Sequence, residues 1–239
     1  MTRIVALVAA RKNSKYLAHF LHSYLARTED PRLVCVCNAE DEWNGDVIDY
    51  FTEFEGKFIF YLENYGYGRA GLHLYYQNAL QRAQSQDVDW EADWFVYFCE
   101  DHEIILYHWD KVLAGILSKY DADKPYIGVP GWDNTGSVNH VLSRGYIEAL
   151  GGRLASHGNL DSYINDIAAR LPRSHVIRLP VLFHDFTADH PCMLDDCRTK
   201  VELSEAGQKL PLAWTEETKA NVERDAEIVK AAIRKGVTR

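Results

Sequence analysis

No stretch of the 239 residues approaches the roughly 18 consecutive apolar positions that a membrane-spanning helix needs. The apolar opening, Ile4 to Ala9, is short for the core of a signal peptide and runs straight into Arg11, Lys12 and Asn13. It reads as a buried first strand instead. A basic excess is missing too. The formal net charge is −9 with no run of Lys and Arg, which disfavours a protein whose main business is gripping a phosphate backbone. Cysteine is scarce: five residues, an odd number, with Cys35, Cys37 and Cys99 inside apolar runs. That pattern suggests reduced thiols and a cytoplasmic setting, in a bacterial cell or in a host if the source is viral. Cys192 and Cys197 stand without the second cysteine pair that would support a zinc site. Repeats, low-complexity tracts and long linkers are absent as well.

What is present is the balance of an ordinary folded protein, 47% hydrophobic and 26% charged, with enough chain for a sizeable core. Ile4 to Ala9, Leu33 to Cys37, Phe58 to Leu62 and Trp94 to Cys99 read as strands, the first covered on both faces. Helical patterns fall between them. Leu17, Phe20, Leu21, Tyr24 and Leu25 follow the spacing of one helix face, Val47 to Phe54 makes a short helix, and Leu72 to Ala83 a longer one. This βαβαβαβ order predicts an α/β fold whose mostly parallel sheet carries helices on both faces. Ligands then gather at the carboxyl ends of the strands.

Further on, Trp109 to Tyr120 reads as a helix, Tyr126 to Val129 and Val176 to Phe183 as strands, and Leu160 to Leu171 as an amphipathic helix. The charged segment Thr215 to Lys235 carries a narrow stripe of Val222, Ala226, Val229 and Ile233, with Gly236 as a stop signal. The expected organisation is one catalytic domain over 1–200, with a nucleotide-binding half over 1–105 and an acceptor half over 106–200. A C-terminal helical extension follows over 201–239.

Two features carry chemistry. Gly66-x-Gly68-x-x-Gly71 fits the dinucleotide-binding fingerprint between a strand and a helix. The ribose-binding acid that such a site wants about 20 residues later is poorly placed, since Glu100 and Asp101 at the next strand end arrive late. Alternatively the turn lines a donor pocket, with the planar fork of Arg69 facing a diphosphate. The second feature is Glu100-Asp101-His102-Glu103, three acids in four positions at a strand end. Like charges packed there call for a cation, and oxygen ligands suit Mg²⁺ or Mn²⁺. An exposed acidic loop is the plain alternative.

In their order these pieces resemble the GT-A glycosyltransferases, particularly the family 2-like group. Ile4 to Val8 leading to Asn13 and Leu17 resembles the family's first strand, polar turn and helix. Val34 to Asp41 resembles its second strand with nucleoside-holding acids, and Asn64 to Ala70 its Asn-x-Gly-x-x-x-Ala turn. Phe98 to Glu103 resembles the strand that ends in the Asp-x-Asp metal motif, in irregular form.

The resemblance covers roughly residues 3 to 185 and implies a Rossmann-like, nucleotide-diphospho-sugar transferase sheet. It also implies a metal-dependent hexosyl- or pentosyltransferase that takes a nucleotide-sugar donor and a Mn²⁺ or Mg²⁺ cofactor. Donor-binding candidates are then Ala9, Ala10, Asn38, Glu40, Asp41, Asn64, Arg69 and Glu100. Metal candidates are Asp101, His102, Glu103 and His184, and the catalytic acid near the acceptor is Asp161 or Asp166. Trp132, Asp133 and Asn134 are placed to meet the acceptor, whether glycan, small molecule, protein or modified DNA base. Three other readings stay open: a dinucleotide-dependent oxidoreductase, a nucleotidyltransferase, and a non-catalytic binding module of the same fold.

Overall fold

The computed structural model describes residues 2–10, 14–39, 57–63, 69–85, 91–100, 102–131, 139–156, 160–185 and 215–236, with positions 47, 49, 52 and 53. At 14, 69–72 and 183–185 only the backbone is described. The strands are β1 (Ile4–Ala10), β2 (Leu33–Asn38), β3 (Phe58–Glu63), β4 (Trp94–Cys99), β5 (His102–Ile104), β6 (Ile127–Pro130), β7 (Val141–Ser143), β8 (Val176–Leu179) and β9 (Phe183–Asp185). The helices are α1 (Ser14–Arg27), α2 (Arg69–Ala83), α3 (Trp109–Leu117), α4 (Arg144–Ala149), α5 (Leu160–Arg170) and α6 (Glu216–Gly236).

Seven strands form one sheet in the order β3-β2-β1-β4-β7-β6-β8. The first four are parallel. β7 runs antiparallel to both its neighbours, and β6 pairs with β8 in parallel. β5 and β9 make a separate antiparallel ribbon. From β1 the chain winds outward through β2 to β3, then returns to the other side of β1 to lay down β4. That reversal is the topological switch point, where open α/β sheets bind their ligands.

All of β1 and β2 is buried, and strict alternation divides each strand between two core layers. Val5, Leu7, Ala9, Val34, Val36, Phe95 and Tyr97 join one layer. Ile4, Ala6, Val8, Leu33, Cys35, Cys37, Val96 and Phe98 join the other. The first layer is completed by α2, α4, α5 and α6, and the second by α1 and α3. A sheet covered on both faces needs apolar residues at every position, hence the unbroken runs.

Where the sequence expectations depart from the structure, local reasons are visible. The run from Val176 to Phe183 is not one strand. Pro180 follows β8, has no backbone N–H to extend the ladder, and the chain crosses to the ribbon as β9. His102 to Ile104 forms a strand rather than an open acidic loop, and β7 with α4 goes unseen because three residues show no period. The helix expected over Val47 to Phe54 falls mostly outside the described residues.

The stripe of α6 sits in the first core layer with the sheet itself. At its centre Asp225 is fully buried and accepts a hydrogen bond from the Tyr163 hydroxyl at 2.7 Å. Among the described residues no helix is long and apolar enough to cross a membrane.

Candidate functional site

The carboxyl ends of β1, β2 and β4 lie side by side across the switch point. Ala9 and Ala10 end β1 and are buried. Asn38 ends β2, and its Oδ1 accepts from the Tyr75 hydroxyl of α2 at 3.1 Å. Glu100 follows β4 and is half-buried. Glu40, Asp41, Asn64, Asp101, Trp132, Asp133 and Asn134 lie outside the described residues. Arg69 begins α2, and its side chain is outside them too.

Gly71 of the fingerprint lies in the first turn of α2, Gly66 and Gly68 lie outside the described residues, and in sequence the segment follows β3, the edge strand. β3 is two strands from β1, whose βα crossing a dinucleotide fingerprint would use. The topology weighs against that reading.

Of the two acids on α5, the structure brings only Asp161 to the strand ends. Its Oδ1 accepts from the Tyr97 hydroxyl at 2.8 Å and from the Asn139 backbone N–H at 3.1 Å. Tyr97 reaches it because the pleat of β4 turns that side chain into the layer holding α5. The first turn of α5 also suits a carboxylate, since the helix dipole favours negative charge there. Asp166 instead pairs with Arg170 at 3.6 Å on the partly exposed face of the same helix.

Asn139 joins Asp161 to the irregular motif. Its φ of 63° is left-handed, a conformation that Asn accepts more readily than most residues. While its N–H reaches Asp161, its Nδ2 lies 2.6 Å from Nδ1 of His102. The same Nδ1 accepts the Cys99 backbone N–H at 3.0 Å. A backbone N–H can only donate, so this nitrogen carries no proton. The neutral ring therefore holds its hydrogen on Nε2.

A metal-ligating imidazole is arranged the other way, donating through the nitrogen that does not bind the metal. His102 as found instead accepts on Nδ1. Glu103, on the next position of β5, faces α1: its oxygens lie 3.4 Å from Arg27 and 3.5 Å from His19. His102 and Glu103 do not converge on one point. His184 is opposite Glu103 in the ribbon register, with its side chain outside the described residues. Among the described residues no group of three or more His, Cys, Asp or Glu side chains gathers as a metal site.

Behind Asp161 lies a further pair that the sequence did not single out. The Tyr97 oxygen is 2.8 Å from Nδ1 of His140, and Nε2 of His140 is 2.8 Å from the side-chain amide of Asn165. Burial, then the neighbouring Asp161, pushes the Tyr97 hydroxyl well above its usual pKa. Burial pulls the His140 imidazole below its usual value, opposed by Asp161 and, with the amide oxygen toward Nε2, by Asn165. Tyr97 passes for a core aromatic in a strand pattern, and His140 for a loop residue before a short apolar triplet. Only their meeting marks them.

No protein-family model and no curated protein sequence matches the chain. Solved structures do. S. aureus TarS 1-349 in complex with UDP superposes with a TM-score of 0.54 at 11% identity, over 76% of this chain and 60% of that one. Another structure of TarS 1-349 matches over 97% of this chain and 83% of its own length, with a TM-score of 0.54. A longer TarS chain matches at 0.55 and 10% identity, over 98% and 54%. TarS is a GT-A-type glycosyltransferase.

The fold is GT-A. This chain thus spans 60% of the length of the UDP-bound TarS structure, and at such identity the likeness is one of architecture. The GT-A sheet accounts for the parallel half, β3-β2-β1-β4, and for the antiparallel β7 inserted beside it.

Proposed function

We propose that the chain transfers a sugar from a nucleoside diphosphate sugar to an acceptor hydroxyl with inversion at the anomeric carbon. The observation that carries the reading is the Asp161 carboxylate, held by Tyr97 and Asn139 beside the carboxyl end of β4 in a GT-A sheet. The acceptor oxygen forms its bond to the anomeric carbon as its proton passes to Asp161. The bond from that carbon to the diphosphate breaks, and its electron pair leaves with the diphosphate. The nucleoside lies over Ala9, Ala10 and Asn38, with Glu40, Asp41 and Asn64 assigned by sequence position and Arg69 toward the diphosphate. Trp132, Asp133 and Asn134 are assigned in the same way to the acceptor side.

A divalent cation, Mg²⁺ or Mn²⁺, fits the oxygen donors Asp101 and Glu100 but not the imidazole of His102 or the ion-paired Glu103. Bound there, it would offset the charge growing on the departing diphosphate. The free thiols of Cys35, Cys37 and Cys99 suit a reducing, cytoplasm-like compartment.

Thermal denaturation with UDP and Mn²⁺ tests the donor site, with NAD as the contrast. A ligand at 100 times its Kd stabilises by about 2.7 kcal/mol, so UDP raises Tm and NAD leaves it unchanged. Stabilisation by NAD alone overturns the reading. Asp101→Asn is expected to weaken the shift as chelation does, and a shift indifferent to both removes the metal from it. Asp161→Asn keeps the shift while UDP release from UDP sugars falls about 100- to 10,000-fold.

A further inference from the structure

Tyr97 and His140 are buried polar groups outside the residues assigned to donor and acceptor, and burying such groups is costly unless they satisfy one another. Tyr97 is 2% exposed and His140 0%. Both stay neutral, the phenol because burial holds its proton and the imidazole because burial resists a second one. With one proton each, the direction of every hydrogen bond follows from the Asp161 carboxylate at the end, which accepts from Tyr97 and from the Asn139 N–H. Tyr97 donates to Oδ1 of Asp161. Its oxygen can then only accept from His140, so that imidazole carries its proton on Nδ1. Nε2 is left as an acceptor, served by the Asn165 amide after a half-turn that interchanges its oxygen and nitrogen.

Asn165 stands four residues beyond Asp161, one turn along α5. The chain of contacts therefore leaves α5 at Asp161, crosses β4 at Tyr97, reaches His140 ahead of β7, and returns to α5 at Asn165. The backbone N–H of Asn139 pins the same oxygen from a third direction. All the hydrogen bonds that described residues make to this carboxylate fall on Oδ1.

We propose that Tyr97 and His140 are positioning residues, a directional hydrogen-bond chain closed by Asn165 that locks Oδ1 of Asp161 and presents Oδ2 to the acceptor hydroxyl. This rests on reading Asp161 as the base that takes the acceptor proton. The chain does not itself move a proton. It fixes the rotation of α5 and the carboxylate plane, and misplacement of about an ångström at a reacting group costs on the order of 100-fold in rate.

Two measurements on the full chain test it. The first needs no turnover: histidine ¹⁵N NMR of the protein alone, with the His140 signal identified by its loss in His140→Gln. Wild-type His140 is expected to be protonated on Nδ1 and bare on Nε2. In Tyr97→Phe the proton moves to Nε2, where the Asn165 oxygen can accept it. A wild-type proton on Nε2 overturns the chain.

The second is UDP release from a panel of UDP sugars, with UDP affinity measured by calorimetry. Tyr97→Phe lowers kcat on the order of 10- to 100-fold with KM and UDP affinity unchanged, and adds no further loss to Asp161→Asn. Equal losses in both backgrounds, or a parallel fall in UDP affinity and Tm, mean a structural polar cluster and sink the proposal. Full turnover by Asp161→Asn has a different meaning. It removes the base reading underneath, whatever the NMR pattern, and the positioning role falls with it.

Discussion

His140 shows how much a single buried group can reveal. Its ring is fully enclosed, and burial holds its pKa below the ordinary 6.5. The unfolded chain therefore binds a proton near and below pH 6.5 that the folded protein refuses. More protons bound in the unfolded state means that stability rises with pH. The contribution of a neutral His140 is thus complete above about pH 6.5 and fades as pH falls through that value. Replacing it by Gln removes the titration. Urea midpoints of wild type and His140→Gln, compared between about pH 5 and 8, should differ most at the alkaline end and converge toward acid. A gap independent of pH would contradict the buried, neutral state. At the same scale, the strand alternation that hides Tyr97 among core residues also delivers it to Asp161. The functional reading of Tyr97 was illegible because pattern describes burial and not partners.

Among the elements, α5 and α6 depend on one buried carboxylate. Asp225 accepts the Tyr163 hydroxyl at 2.7 Å and the Ser156 hydroxyl at 3.4 Å, and it faces Arg153 at 3.6 Å. Asp225→Ala strands the buried Tyr163 donor, and an orphaned group of that kind costs about 1–3 kcal/mol. Tyr163→Phe removes the donor and leaves the carboxylate short of one partner, also a loss. Urea unfolding monitored by tryptophan fluorescence should place Asp225→Ala below wild type by that amount. Because α5 carries Asp161 at its first turn, the variant tests whether that end of the site is mounted on the α5–α6 contact. The element boundaries were legible where periodicity was long, as in α5 and α6. They were not where three residues make a strand: β5, β7 and β9 owe their existence to pairing partners distant in sequence.

For the molecule as a whole, the described part of the expected C-terminal extension, α6, packs into the core. Val222, Ala226, Val229 and Ile233 lie in the same buried layer as β1, β2 and β4. Burying a Val or Ile side chain is worth roughly 1.5–3 kcal/mol, so losing this stripe removes on the order of 5 kcal/mol. Domains of this kind have about 5–15 kcal/mol in total. A chain ending before Thr215 should therefore be marginal, with an exposed apolar face over α4 and α5, a far lower urea midpoint and a tendency to aggregate. A truncated chain with the wild-type midpoint would show the helix to be an appendage.

The sequence by itself determined the layers. Unbroken apolar runs mean strands covered on both faces, and their alternation with helices means a parallel winding, so a mostly parallel α/β sheet was readable from residue type and spacing, and its GT-A character from the resemblance of its motifs. It also marked Glu100 to Glu103, because three acids in four positions at a strand end call for a cation, while the resemblance pointed to Asp161 or Asp166 as the catalytic acid. Which of those acids work together was decided only in three dimensions. Asp161 rather than Asp166 meets β4, Glu103 turns away to Arg27 and His19, and His102 spends Nδ1 on Cys99 and Asn139. The reason is physical: a strand or helix fixes the direction of a side chain, but its partner comes from another element, and packing alone chooses it.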